Sequence, residues 1–184
     1  VSFASGRRHQ MVGYSSVRDT IDRMGFSLDG AFTSHVSVLG ASTVSTANLA
    51  CAYLFRTWVP IVVTKLGTLN GTISGSPNWD VAIYDSGWNR LVSTGGTAQS
   101  GASAFQMADV TDTTLKAGLY YIAGVSDTTT GSQHRVTNAV QTAAKQWGMF
   151  QMAAAYPLPD PFTPATVGAT RYMIPAIEWE RADL

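Results

Sequence analysis

The 184-residue chain carries 12 Lys+Arg and 12 Asp+Glu, so its formal net charge is zero and charged residues make up only 13% of it. That length supports one substantial core, and a charge balance without basic or acidic runs argues against nucleic acid and anionic membrane as partners. So few charges suggest a surface partly covered by neighbours, and no apolar run reaches the roughly 18 residues of a membrane helix.

No charged region followed by an apolar core opens the chain, so no signal peptide is expected and release would follow another route, such as cell lysis. Residues 1–10, small and basic with Arg7 and Arg8, read as an arm that reaches a neighbour or as a disordered end. Ser16 and Asp19 have capping-box-like spacing, and Val17, Ile21 and Met24 recur at helical intervals up to Gly25, which predicts one short amphipathic helix. Its charged face, Arg18, Asp19, Asp22 and Arg23, reads as solvated. Residues 1–30 therefore form an attachment or assembly segment ahead of a domain over 31–184.

From Ala31 onward strand and turn signals dominate. Residues 35–39 alternate, and residues 48–55 are apolar enough for a strand buried on both faces; they include the lone Cys51, which reads as a small buried hydrophobe. A strand over 58–66 follows, with Pro60 at an edge or bulge, then a tight turn at Asn70-Gly71. Asn70-Gly71-Thr72 also matches a glycosylation acceptor, though the turn explains it better.

The pattern is clearest over 79–84. Trp79, Val81 and Ile83 share one face of an extended strand and Asp80, Ala82 and Tyr84 the other, a half-buried strand that Asp85-Ser86-Gly87 turns back into Leu91-Val92-Ser93. Lys116-Ala117-Gly118 gives a second hairpin signal before Leu119 to Ala123. Residues 127–132 form a polar loop, and 136–147 fit either a short helix or a loop. Residues 148–153 read as a strand, the Pro157, Pro159, Pro161 and Pro164 run as a rigid connector, and 171–179 as a last strand. About eight strands separated by turns make an all-β, antiparallel β-sandwich, jelly-roll-like, behind the N-terminal arm and helix.

A catalytic constellation is not expected. His9, His35 and His134 lack metal-ligand spacing, Ser103 lacks the second glycine of a nucleophile elbow, and no phosphate-binding glycine loop is present. Asp80 with Asp85, or Asp109 with Asp112, read as strand-end and turn residues rather than a hydrolase pair; Asp80 and Asp85 would lie about 16 Å apart along a strand, on opposite faces. No metal or cofactor follows. Binding is the stronger expectation. Among the five tryptophans, Trp58, Trp79, Trp88, Trp147 and Trp179, Trp88 sits in a hairpin turn where a core role is hard to arrange, so it reads as a contact to a subunit or, alternatively, to a glycan held also by Asn78, Asn89 and Asp127. Trp79 reads as core.

Four segments taken in order carry a resemblance: Val81-Ala82-Ile83-Tyr84-Asp85-Ser86-Gly87; Arg90-Leu91-Val92-Ser93-Thr94-Gly95; Thr97-Ala98-Gln99-Ser100-Gly101; and Leu115-Lys116-Ala117-Gly118-Leu119-Tyr120-Tyr121-Ile122-Ala123. Together they resemble a β-sandwich domain found in structural proteins of tailed bacteriophages, such as tail-fibre, baseplate and head-decoration components. Ala154-Ala155-Tyr156-Pro157-Leu158-Pro159 is similar to a Pro-Leu-Pro element near the end of that domain. The resemblance spans residues 31–179, and Trp88 and Asn89 depart from it, standing where the family commonly has small residues. It implies a non-enzymatic virion protein of an external appendage, assembled in the host bacterial cytoplasm with copies of itself, as a trimer or higher ring, and with other virion proteins. The alternative is a carbohydrate-binding receptor-recognition module.

Overall fold

The computed structural model describes residues 36–44, 46–72, 77–129, 132–138, 148–153, 155–165 and 171–182. The arm with Arg7 and Arg8, the expected helix, and residues 139–147 with Trp147 lie outside them. Among the described residues there are strands and no helix: β1 (Val36–Val44), β2 (Ala50–Thr57), β3 (Ile61–Leu69), β4 (Asn78–Tyr84), β5 (Arg90–Ser93), β6 (Thr97–Ala98), β7 (Phe105–Leu115), β8 (Gly118–Ser126), β9 (Ser132–Asn138), β10 (Met149–Met152), β11 (Arg171–Met173) and β12 (Pro175–Arg181). Every pairing is antiparallel.

A central sheet runs β10-β2-β8-β4-β5, with β6 also on β4, beside smaller sheets β12-β3-β7 and β1-β9-β11. Alternation along β2, β4 and β8 sends Cys51, Tyr53, Phe55, Trp79, Val81, Ile83 and Ile122 toward Ile61, Val63 and Leu66 of β3, Leu115 of β7 and Ile177 of β12. Burying each such aliphatic side chain contributes about 1.5–3 kcal/mol. The all-β architecture, with one sheet face packed on another, is compatible with a β-sandwich. The β1-β9-β11 sheet joins through Met173, whose carbonyl accepts from Tyr53 Oη at 2.5 Å. Met173 also lies so close over Gly124 that a Cβ there would collide with its terminal methyl.

The opposite face of the central sheet is covered too. Residues 155–163, expected as a connector, lie across it as a strap, with Ala155, Leu158 and Phe162 buried against Ala50, Ala52, Ala82, Tyr84, Ala123 and Val125. This corrects the half-buried reading of the 79–84 strand: six consecutive residues from Trp79 to Tyr84 are buried, on both faces. Ala52, Ala123 and Ala82 stand in register on three adjacent strands, all with 0% exposure, and give the strap a flat floor.

Four other expectations change. Lys116-Ala117 is no hairpin turn but a corner between sheets, since β7 pairs with β3 and β8 with β2 and β4. Thr57 clamps it, donating through Oγ1 to Lys116 O at 2.7 Å and accepting from Gly118 N at 3.1 Å. The strand expected from Trp58 begins at Ile61, leaving Trp58-Val59-Pro60 as the matching corner between β2 and β3. The expected final strand divides at Ile174 into β11 and β12, which belong to different sheets. Asn70 is no exposed turn residue: it is fully buried, its amide donating to Ser100 O and Gln106 Oε1 and its carbonyl accepting from Gln99 Nε2.

Candidate functional site

The residues expected to form one contact site fall at the two ends of β4. Asn78 and Asp127 meet at one end: Asp127 accepts from Asn78 N at 2.8 Å and from Asn78 Nδ2 at 2.7 Å. This pair ties the start of β4 to the residue after β8. Trp88 and Asn89 lie beyond the other end, about 20 Å away for a seven-residue strand at ~3.3 Å per residue. The four do not converge.

The Trp88 turn is built by Asp85. Its Oδ1 accepts from Gly87 N, Asn89 N and Asn89 Nδ2, and Oδ2 accepts from Asn89 Nδ2 at 3.0 Å. These donors, the Asn89 amide foremost, hold the Asp85 carboxyl below the usual carboxylate range. The closed turn places Trp88 at φ 68°, a conformation that non-glycine residues adopt rarely. Its indole swings back over the sheet and stacks on Tyr121 at 3.8 Å between centroids and on Phe162 at 5.1 Å, with Phe150 edge-on at 5.1 Å. Trp88 is therefore half-buried in an intramolecular aromatic cluster that grips the end of the strap. The core role that a turn position made hard to foresee comes from the strap bringing Phe162 to it.

Asp80 is the hub of the strap face. Its side chain has 0% exposure; Oδ1 accepts from Ser93 Oγ at 2.7 Å and Thr94 Oγ1 at 3.0 Å, and Oδ2 from Leu158 N at 2.9 Å. Around it Arg90 Nη1 donates to Leu158 O at 2.6 Å, Tyr84 Oη to Pro159 O at 2.8 Å, and Arg90 N to Asp160 Oδ1 at 2.9 Å. Burial raises the Tyr84 phenol above its ordinary value. A carboxylate enclosed in this way has no route to a substrate, so it cannot act with Asp85 as a hydrolase pair. Burial likewise pushes the Cys51 thiol up to about 12, which leaves it unreactive at neutral pH. Among the described residues no group of three or more His, Cys, Asp or Glu could hold a metal ion.

Among the described residues the exposed tryptophan is Trp58. At the corner between β2 and β3 it is 65% exposed, beside Val59 at 37%, and Leu119 at 50% lies on the neighbouring strand. Arg56 pairs with Leu119 across β2 and β8, and its guanidinium carbon sits 3.8 Å from the Trp58 ring centroid, a cation–π contact that covers one ring face. Leu54, Arg56, Tyr121 and Leu119 continue the strap face of the sheet past Trp88. The Trp58 pole is thus the part of that face without a cover among the described residues. The signal was Pro60, which cannot extend a strand backwards through its own nitrogen and so marks Trp58 and Val59 as corner residues.

No protein-family model matches the chain, and no curated protein matches it either.

Proposed function

We propose that the chain is a structural protein of a bacteriophage virion, part of an external appendage such as a tail fibre, baseplate or decoration. It acts without catalysis, through a jelly-roll-like β-sandwich that assembles with copies of itself and with other virion proteins in the host bacterial cytoplasm. Residues 1–30, with Arg7 and Arg8, serve as its attachment arm. The observation that carries this reading is the Trp58 pole, where Trp, Arg and Leu side chains of the kind enriched at protein contacts stand exposed together. Supporting it, the segments that resemble the phage domain adjoin: β4, β5, β6 and β8 are neighbours, and the Pro-Leu-Pro segment crosses them.

The alternative, a carbohydrate-binding receptor-recognition module, draws on the open ring face of Trp58 rather than on Trp88, whose stacking faces are occupied. Light scattering of the purified chain separates the two. The structural reading expects an oligomer, with a version starting at Ala31 reduced in mass; a monomer at every concentration, with glycan binding lost in Trp58→Ala, overturns it.

A further inference from the structure

The chain is neutral overall, yet two parts of its surface carry exposed charges mostly of one sign. At the Trp58 pole Arg56 and Lys116 are exposed, and among the described residues neither has a carboxylate within salt-bridge distance; both ion pairs found there belong to Lys65. On β7 the exposed acids are Asp109 and Asp112. Asp109 stands 3.7 Å from Lys65, which Glu178 already approaches at 3.6 Å, and Asp112 has no cation within reach among the described residues. β7 is also the last strand of its sheet: β3 pairs along one side, and no described strand pairs along the other. The edge is guarded against pairing with another strand: its register breaks between Thr113 and Asp109, in a bulge that holds Asp112, so what it offers a partner is side-chain charge.

We infer that the Trp58 pole of one copy docks on the β7 edge of the next, with Arg56 facing Asp112 and Lys116 facing Asp109. The inference rests on the assembly reading and names the two surfaces that make the contact. Charge decides the occupant. A two-fold contact of pole on pole would set Arg56 and Lys116 against their own equivalents, and like charges facing each other suppress an interface. Edge on edge would do the same with the aspartates. Pole on edge pairs every one of these charges with its opposite, gives Trp58 and Leu119 a surface to leave water for, and covers the open strand. Lys116 follows β7 directly, so pole and edge adjoin: a two-fold contact that makes this pairing twice gives a dimer, a head-to-tail contact that closes gives a ring, and sedimentation tells them apart.

The test is a charge exchange in the full chain, read by light scattering and sedimentation. Arg56→Glu and Asp112→Arg are each expected to weaken association by at least about tenfold, and the double variant to recover it, because the exchanged pair restores attraction. Trp58→Ala is expected to weaken association while leaving the stability of the dissociated chain nearly unchanged, measured at the lowest concentration where both are monomers, since the ring is exposed in the single chain. Wild-type association should fall with salt. If the wild type is an oligomer that these variants leave intact, or if the double variant stays dissociated, this contact is wrong while the assembly reading stands. A wild type that is monomeric at every concentration overturns both. Unchanged mass with loss of glycan binding in Trp58→Ala reassigns the pole to sugar.

Discussion

Trp79 and Asp80 are adjacent in sequence, both have 0% exposure, and they are buried by opposite means. Trp79 faces β3 and β7, where Val, Leu and Ile side chains interlock and the stabilisation scales with apolar area. Its one directed contact is Nε1 to Gln106 Oε1 at 3.0 Å. Asp80 faces the strap, where the floor is alanine and the cover is fixed by hydrogen bonds to named atoms. Apolar packing sets how firmly the sheets hold together. Directed bonds set where the strap lies, because a flat alanine row alone would let it slide.

Breaking each side should therefore look different. Trp79→Ala is expected to cost about 3–5 kcal/mol and to lower the whole urea transition, since it empties the centre of the larger core. Asp80→Ala leaves the Ser93 and Thr94 hydroxyls and Leu158 N–H without their acceptor, at about 3 kcal/mol, and limited proteolysis should then cut within residues 155–163 before the sheets unfold. Uncut strap in that variant would show that apolar contact alone holds it. Ala82→Leu overfills the floor by about 1–3 kcal/mol, and hydrogen exchange at Leu158 and Phe162 should accelerate while β3 amides stay protected.

The gentlest probe changes no residue. Cys51 points into the larger core, and its thiol is raised from an ordinary 9.0 to about 12 by burial. A raised native value means the unfolded thiol ionises first, so this group's contribution is level below about pH 9 and is lost as pH rises toward 12. A thiol reagent at pH 8 should label only on unfolding; equal rates in native and denatured chain would mean that the core opens freely.

What the sequence made legible follows this same division. The faces of β4, the doubly buried β2 and the Asp85 turn came from period-two alternation and turn chemistry, which are local. The strap did not, because a proline run shows only that residues 157–164 are extended and says nothing about the surface beneath them. The stacking of Trp88 was not legible for a related reason: its partners Tyr121, Phe150 and Phe162 are 33 or more residues away, and its positive φ follows from side-chain bonds to Asp85. Lys116-Ala117 and Trp58-Val59-Pro60 have turn composition, but composition does not tell a hairpin from a corner between sheets. Asn78 and Asp127 were singled out as binding groups, and in the fold each is occupied by the other.

The bond from Leu158 to Asp80 spans 78 residues. A ribosome adding about 5–20 residues per second makes β4 on the order of 4–16 s before the strap can reach it. Once β8 has joined β2 and β4, for the last ~2–6 s of that interval at the same rate, the nascent sheet displays a flat alanine row, a surface to which another unfinished chain could adhere. A hydrated carboxylate beside that row is a gatekeeper against such aggregation. Asp80 thus serves the chain first as a solubilising charge and later as the acceptor that seats its cover, and refolding yield in Asp80→Ala should fall more steeply with protein concentration than in Trp79→Ala.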